Sequence, residues 1–146
     1  MDIQVEVDTA EFKRAMALAM SSVGVAVGYT AQELWGNVGR EAPVDEGKLA
    51  GNFGLEQVDE ISWRVFTNTE YAQFVHDGTG IFGPRGAPIV PVAAKVLHWI
   101  AKGGEEVFAR SVKGSPPNPF VDRAIEKTYT RVDEFVTRAI RETVGQ

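Results

Sequence analysis

Apolar residues recur at Phe12, Met16, Ala19, Val23, Val27, Leu34 and Val38, holding one stripe over about eight helical turns between Asp8 and Pro43. No other feature constrains the fold so tightly, because an amphipathic helix of that length needs another layer to cover its apolar side. Asp8 is placed to cap the first turn, Glu11 to reach back in a capping box, and Val7 and Phe12 to form a hydrophobic staple. The helix is expected to end before Pro43. Gly24, Gly28, Gly36 and Gly39 interrupt it, each weakening it by up to ~1 kcal/mol relative to alanine. Either their small size lets another backbone approach closely, or they mark a bend; the packing role is the preferred reading.

Residues 15–31 carry no charge and follow Lys13-Arg14, the outline of a signal peptide or membrane anchor. Asp2, Glu6, Asp8 and Glu11 make the preceding segment acidic, and Ser21, Ser22, Gly24, Gly28 and Thr30 make the run too polar to span a bilayer. No membrane contact is expected.

Ahead of the helix, Ile3, Val5 and Val7 alternate with polar residues as in a short strand. Segments 52–58, 61–67 and 71–76 are rich in aromatic and branched residues and are separated by Asp59-Glu60 and Asn68-Thr69, which predicts an antiparallel meander. Segments 95–101 and 105–112 flank Gly103-Gly104, a hairpin turn signal, with Trp99 and Phe108 expected to pack near each other. Asn118-Pro119-Phe120 then starts a second helix with Asn as cap and Pro in the first turn. Its apolar stripe is Val121, Ala124, Ile125, Thr128, Val132, Phe135, Ala139 and Ile140, with Glu134 and Arg138 four apart on the wet face and Arg138 and Arg141 suited to the helix C-terminus. The expected fold is α+β, one domain over residues 1–146: a long N-terminal helix and a C-terminal helix packed on a mainly antiparallel sheet, with a long Gly/Pro-rich loop and a β-hairpin insertion.

Within that loop, Gly78-Thr79-Gly80-Ile81-Phe82-Gly83 spells the G-x-G-x-x-G of a dinucleotide-binding turn. Such a turn works by leading a strand straight into a helix whose amides hold the pyrophosphate. Pro84, Gly86, Pro88 and Pro91 follow at once, so no helix is expected there, and the Lys-Ser/Thr pair of a phosphate-cradling Walker loop is missing. Glu105 lies at a ribose-ligand distance but falls in the hairpin. A nucleotide-dependent enzyme using Gly78 to Gly83 is therefore the alternative rather than the main reading.

Other chemistry is no better represented. The two histidines, His76 and His98, form no metal-ligand pair, and His76-Asp77, on a strand, would point to opposite faces. Asp45-Glu46 reads as a turn tip closed by Gly47. The absence of cysteine excludes disulfides, thiolate catalysis and Cys-ligated zinc, and suits a reducing cytoplasm. Hydrophobic residues at 44% and charged residues at 24% are globular values, while a net charge of −5 provides no basic field for nucleic acid. No enzyme activity, cofactor or metal is expected.

Three patches, in order, resemble the head-to-tail joining (neck or tail-completion) proteins of long-tailed bacteriophages. Ala42-Pro43-Val44-Asp45-Glu46-Gly47-Lys48-Leu49 matches the Ala-Pro-x-Asp-x-Gly-x-Leu of that family at every fixed position. The run from Tyr71 to Gly80 is similar to its aromatic segment ending in Gly-Thr, and Pro116-Pro117-Asn118-Pro119-Phe120 to its Pro-Phe start of the C-terminal helix. A departure lies in the loop, where residues 81–99 are longer than in the shortest members.

The resemblance implies a structural virion protein, assembled in the host cytoplasm into a homo-oligomeric ring at the head–tail junction. It would connect head-closure or connector proteins with tail-tube or tail-terminator proteins around the DNA channel. A tail terminator capping the tube is the alternative within the class, and a cellular adaptor domain the alternative outside it. Ring closure needs one patch on each subunit to meet a different patch on the next. The contact residues expected are Asp45, Leu49, Gly78, Thr79, Ile81, Phe82, Arg85, Ile89 and Val90, with the loop of residues 78–91 reaching a neighbour. The acidic net charge suggests a lumen that lets DNA pass without gripping it.

Overall fold

The computed structural model describes residues 9–44 and 48–145, and divides the chain into two compact units, residues 1–68 with 123–146 and residues 69–122. The expected strand at Ile3 to Val7 and the Asp8 cap lie outside the described residues. The α+β class is as expected, with the strands in two separate two-stranded antiparallel sheets.

In the first unit, α1 (Thr9–Glu41) runs unbroken through all four glycines, about 50 Å long. Strands β1 (Phe53–Gln57) and β2 (Trp63–Thr67) pair antiparallel with Leu55 opposite Val65, and both contact α1. The turn between them is closed by the Asp59 carboxylate accepting from the Ile61 amide at 2.9 Å. That bond is the first cause of a lowered Asp59 pKa.

The glycines explain how close this approach is. A Cβ on Gly24 would stand 2.6 Å from the Glu60 carbonyl oxygen, and the Trp63 ring lies over Gly28 at 3.6 Å from where its Cβ would be. The close backbone approach is thus observed at Gly24, while at Gly28 a side chain packs at ordinary contact distance, and the helix shows no break at either.

The C-terminal stripe forms two helices rather than one, α3 (Phe120–Tyr129) and α4 (Val132–Val144). The Thr128 and Thr130 hydroxyls bond back to the carbonyls of Ala124 and Lys127, and the Arg131 amide bonds to Thr128 O at 3.0 Å, tightening the ladder to i→i−3 at the break. The break lets α4 lie along α1, burying Phe135 and Ala139. The Tyr29 hydroxyl donates to Glu142 at 2.5 Å, and the hydroxyls of Ser22 and Thr143 meet. Where Glu134–Arg138 was the expected pair, Arg138 instead binds Glu142 at 2.9 Å and Glu134 binds Arg131 at 3.0 Å.

Residues 123–129 of α3 add Ala124 and Thr128 to this core, where Thr128 accepts from buried Asn37 at 3.0 Å. Glu41, only 15% exposed, takes Lys127 and Arg123 together, and these hydrogen bonds hold its carboxyl below the usual range.

In the second unit, residues 71–76 do not form the third strand of a meander: α2 (Ala72–Asp77) is a short helix. Tyr71, Phe74 and Val75 have the three- and four-residue spacing of a helical turn as well as strand-forming side chains, and Gly78 at φ 80° ends the turn as only glycine does easily. Strands β3 (Leu97–Ile100) and β4 (Glu106–Ala109) form the expected hairpin, and an isolated Ile89–Val112 bridge lies outside it. Its register sets Trp99 opposite Val107, so Phe108 stacks on His98, at 4.5 Å between centroids, rather than on Trp99.

Candidate functional site

Two surfaces stand out, one in each unit. In the second unit, the segment after α2 is fastened to residues 112–118 by backbone bonds. Thr79 N bonds to Ser115 O at 2.9 Å, Ile81 N to Lys113 O at 2.8 Å, and Ile89 and Val112 exchange both of theirs. The Thr79 hydroxyl accepts from the Ser115 amide at 2.9 Å.

This fastening accounts for the glycine spacing. A Cβ on Gly80 would sit 2.0 Å from the Lys113 carbonyl oxygen, one on Gly114 2.1 Å from that of Thr79, and one on Gly83 2.7 Å from that of Gly78. Gly78, Gly80 and Gly114 also have positive φ. The G-x-G-x-x-G therefore serves contact between two stretches of backbone. It follows a helix rather than a strand and leads into a single 3-10 turn, Gly80–Phe82, so the strand–turn–helix of a dinucleotide fold is not formed.

With its base pinned, the loop presents its apolar residues outward. Phe82, Val90 and Val92 are 45%, 58% and 102% exposed, and Ile81, Arg85 and Ile89 are exposed beside them. Gly78 is buried and Thr79 half-buried, which makes them structural supports of the loop rather than its contacting tip. Leu49, expected at a contact, is 1% exposed and belongs to the interior of the first unit with Ala42. The apolar ends of the Ala-Pro-x-Asp-x-Gly-x-Leu patch thus anchor it. Asp45 lies outside the described residues.

His76 and Asp77, expected on opposite faces, meet through a 2.7 Å contact between Nδ1 and Oδ1 because a helix carries them. That hydrogen bond holds the Asp77 carboxyl below its usual range. His76 Nε2 lies 3.7 Å from Asp122, and the ring stands edge-on to buried Phe120. The His76 ring thereby packs against the start of α3, where Phe120 is 1% exposed.

The second surface was not foreseen. Between α1 and α4 a groove of about 600 Å³ is lined almost wholly by apolar side chains, among them Leu18, Val23, Val27, Val136 and Ile140. It continues along α1, of which every residue from 9 to 21 is exposed, Phe12 at 61% and Met16 at 50% included. Of the stripe expected to be covered, only Val38 is buried; Val27 and Leu34 are half-buried, and Val23 is still 46% exposed. The uncharged run 15–31 was the available signal: it makes the helix apolar on more than the one face that a single stripe requires. Among the described residues, no helix is long and apolar enough to cross a membrane, and no three potential ligands cluster as a metal site. Compared with protein-family models, curated proteins and solved structures, the chain finds no match.

Proposed function

We propose that this protein is a structural, non-enzymatic component of a long-tailed phage virion that forms a ring at the head–tail junction. In this reading it joins head-closure or connector proteins to tail-tube or tail-terminator proteins, and the genome passes through without specific binding. The carrying observation is the loop with its base fixed by backbone bonds and its apolar residues Ile81, Phe82, Ile89 and Val90 left uncovered. A contact element ordered before it meets its partner loses little entropy on binding, and exposed apolar clusters of this kind mark interaction surfaces. The order of the three sequence patches supplies the class of assembly.

Native mass spectrometry over a concentration series, with NAD and GTP in parallel samples, together with negative-stain imaging, tests the reading. A closed oligomer with a central channel and no nucleotide is expected. A monomer carrying stoichiometric nucleotide would overturn it in favour of an enzyme. Salt-dependent retention of DNA by the ring would count against a passive channel.

A further inference from the structure

We infer that His76 is a proton-operated clasp at the base of the exposed loop: its imidazolium ties the first turn of α3 to α2 through Asp122, and loss of one proton releases that tie. The inference goes beyond the ring reading and does not depend on it, because every group involved belongs to the second unit.

The placement of the two ring nitrogens carries it. His76 Nδ1 stands 2.7 Å from Asp77 Oδ1, and that hydrogen bond is the first cause of the lowered Asp77 pKa, with Gln73 adding to it. Facing an ionised carboxylate, Nδ1 is the nitrogen that keeps its hydrogen. A neutral His76 therefore presents a bare lone pair at Nε2. That atom is shut off from water, has no hydrogen-bond partner, and lies 3.7 Å from Asp122 Oδ1. A buried acceptor aimed at a carboxylate is both unsatisfied and repelled. A second proton removes both defects, since Nε2–H becomes a donor and the charged ring attracts the carboxylate.

The surroundings leave both acids to the imidazole. From α2 the ring faces Asp77; from the start of α3 it faces Asp122 and the buried ring of Phe120, which it meets edge-on. Among the described residues neither acid has a lysine or arginine partner. The Asp122 side chain is 65% exposed, so it can turn toward Nε2 without movement of the helix.

What the clasp holds is the attachment of the loop. Asn118 N bonds to Val75 O at 3.0 Å and Thr79 N to Ser115 O at 2.9 Å, the residues on either side of His76. Neighbouring bonds of this kind open as a unit, so weakening the tie at His76 loosens the loop base with it. A proton held more tightly by the folded chain than by the unfolded one makes this fastening complete below the ordinary imidazole range, about pH 6.5, and weaker as pH rises through it.

Hydrogen exchange of the full-length protein at about pH 5.5 and 7.5, corrected for the intrinsic pH dependence of exchange, reads the junction on peptides covering residues 74–83 and 113–119. His76 and His98 are the only histidines, so His98→Gln is the control. In the wild type and in His98→Gln, the junction should open about threefold more often, or more, at the higher pH. In His76→Gln and Asp122→Ala the two pH values should give equal opening. Asp122→Ala also removes an acid from the first turn of α3, a loss that is the same at both pH values and cancels in the ratio. Should His76→Gln fail to fold, Asp122→Ala carries the test alone, with circular dichroism to verify its fold. Wild-type opening that is equal at both pH values or greater at the lower one would overturn the inference. So would a pH ratio that survives Asp122→Ala, or one that disappears in His98→Gln.

Discussion

The two units handle close approach in opposite ways. In the first, a long helix brings side chains together over many turns: Phe135 and Ala139 fill the seam with α1, and glycines admit the Glu60 carbonyl at Gly24 and the Phe66 ring at Gly54. In the second, the elements are three to six residues long, and backbone meets backbone at Gly80 and Gly114 with no room for any side chain. Side-chain packing spreads its energy over many contacts and tolerates adjustment, whereas a backbone junction depends on a few atoms and tolerates none.

The largest effect that sharpens this contrast is Phe135→Ala, expected to cost about 3–5 kcal/mol as a large core truncation. Hydrogen exchange should show the loss concentrated in α1 and α4. Next comes Gly80→Ala, about 3 kcal/mol, from a positive φ combined with a Cβ driven into the Lys113 carbonyl. Here protection should fall first at the amides of Thr79, Ile81 and Ile89; uniform loss across the chain in both variants would break the distinction between the units.

Those two sites also show how far sequence reading reaches. Phe135 lay on a stripe with a period of 3.6, and periodicity carries its own explanation, so the two helical regions and the β3–β4 hairpin were legible. The meander failed at residues 71–76 because Tyr71, Phe74 and Val75 satisfy both a strand's composition and a helix's spacing, and the local turn at Gly78 decided between them. Gly80 was legible as a loop glycine but not as a junction, since its partner, Lys113, is 33 residues away. The groove was hidden for a related reason: a stripe states which side of a helix is apolar and not how much of its length the chain can cover.

A smaller effect separates two glycines within one helix. Gly24→Ala should destabilise by roughly 1–2 kcal/mol, as the Glu60 turn is pushed off α1, while Gly28→Ala meets Trp63 at ordinary contact distance and should stabilise by up to about 1 kcal/mol through helix propensity. Thermal unfolding of the pair reads the sign directly. Equal effects would show that the turn yields and that the approach at Gly24 is not a constraint.

Least in size is a pH effect on the first unit. Glu41 and Glu142 are held below the usual carboxylate range, Glu41 chiefly by Lys127 and then Arg123, Glu142 chiefly by Tyr29 and then Arg138. A lowered folded pKa means that the unfolded chain takes up protons first, so the stability they contribute is complete above about pH 5 and is lost as pH falls through their folded values. Glu41→Gln should flatten the fall in melting temperature below about pH 5. An unchanged slope would remove Glu41 from the interactions that hold α3 to α1.

The seam between α1 and α4 joins residues 121 positions apart at Ser22 and Thr143, and 113 apart at Tyr29 and Glu142. On the ribosome, where chains grow at about 5–20 residues per second, α1 must therefore wait roughly 5–20 s for the strand of synthesis that will cover it. The part of its uncharged stretch that the fold buries, Ser22, Ala26, Gly28 and Ala31, is made early and sheltered last. The nascent chain thus passes through an interval in which its longest uncharged segment is complete and the helix that packs on it does not yet exist, an interval whose length is set by elongation rate.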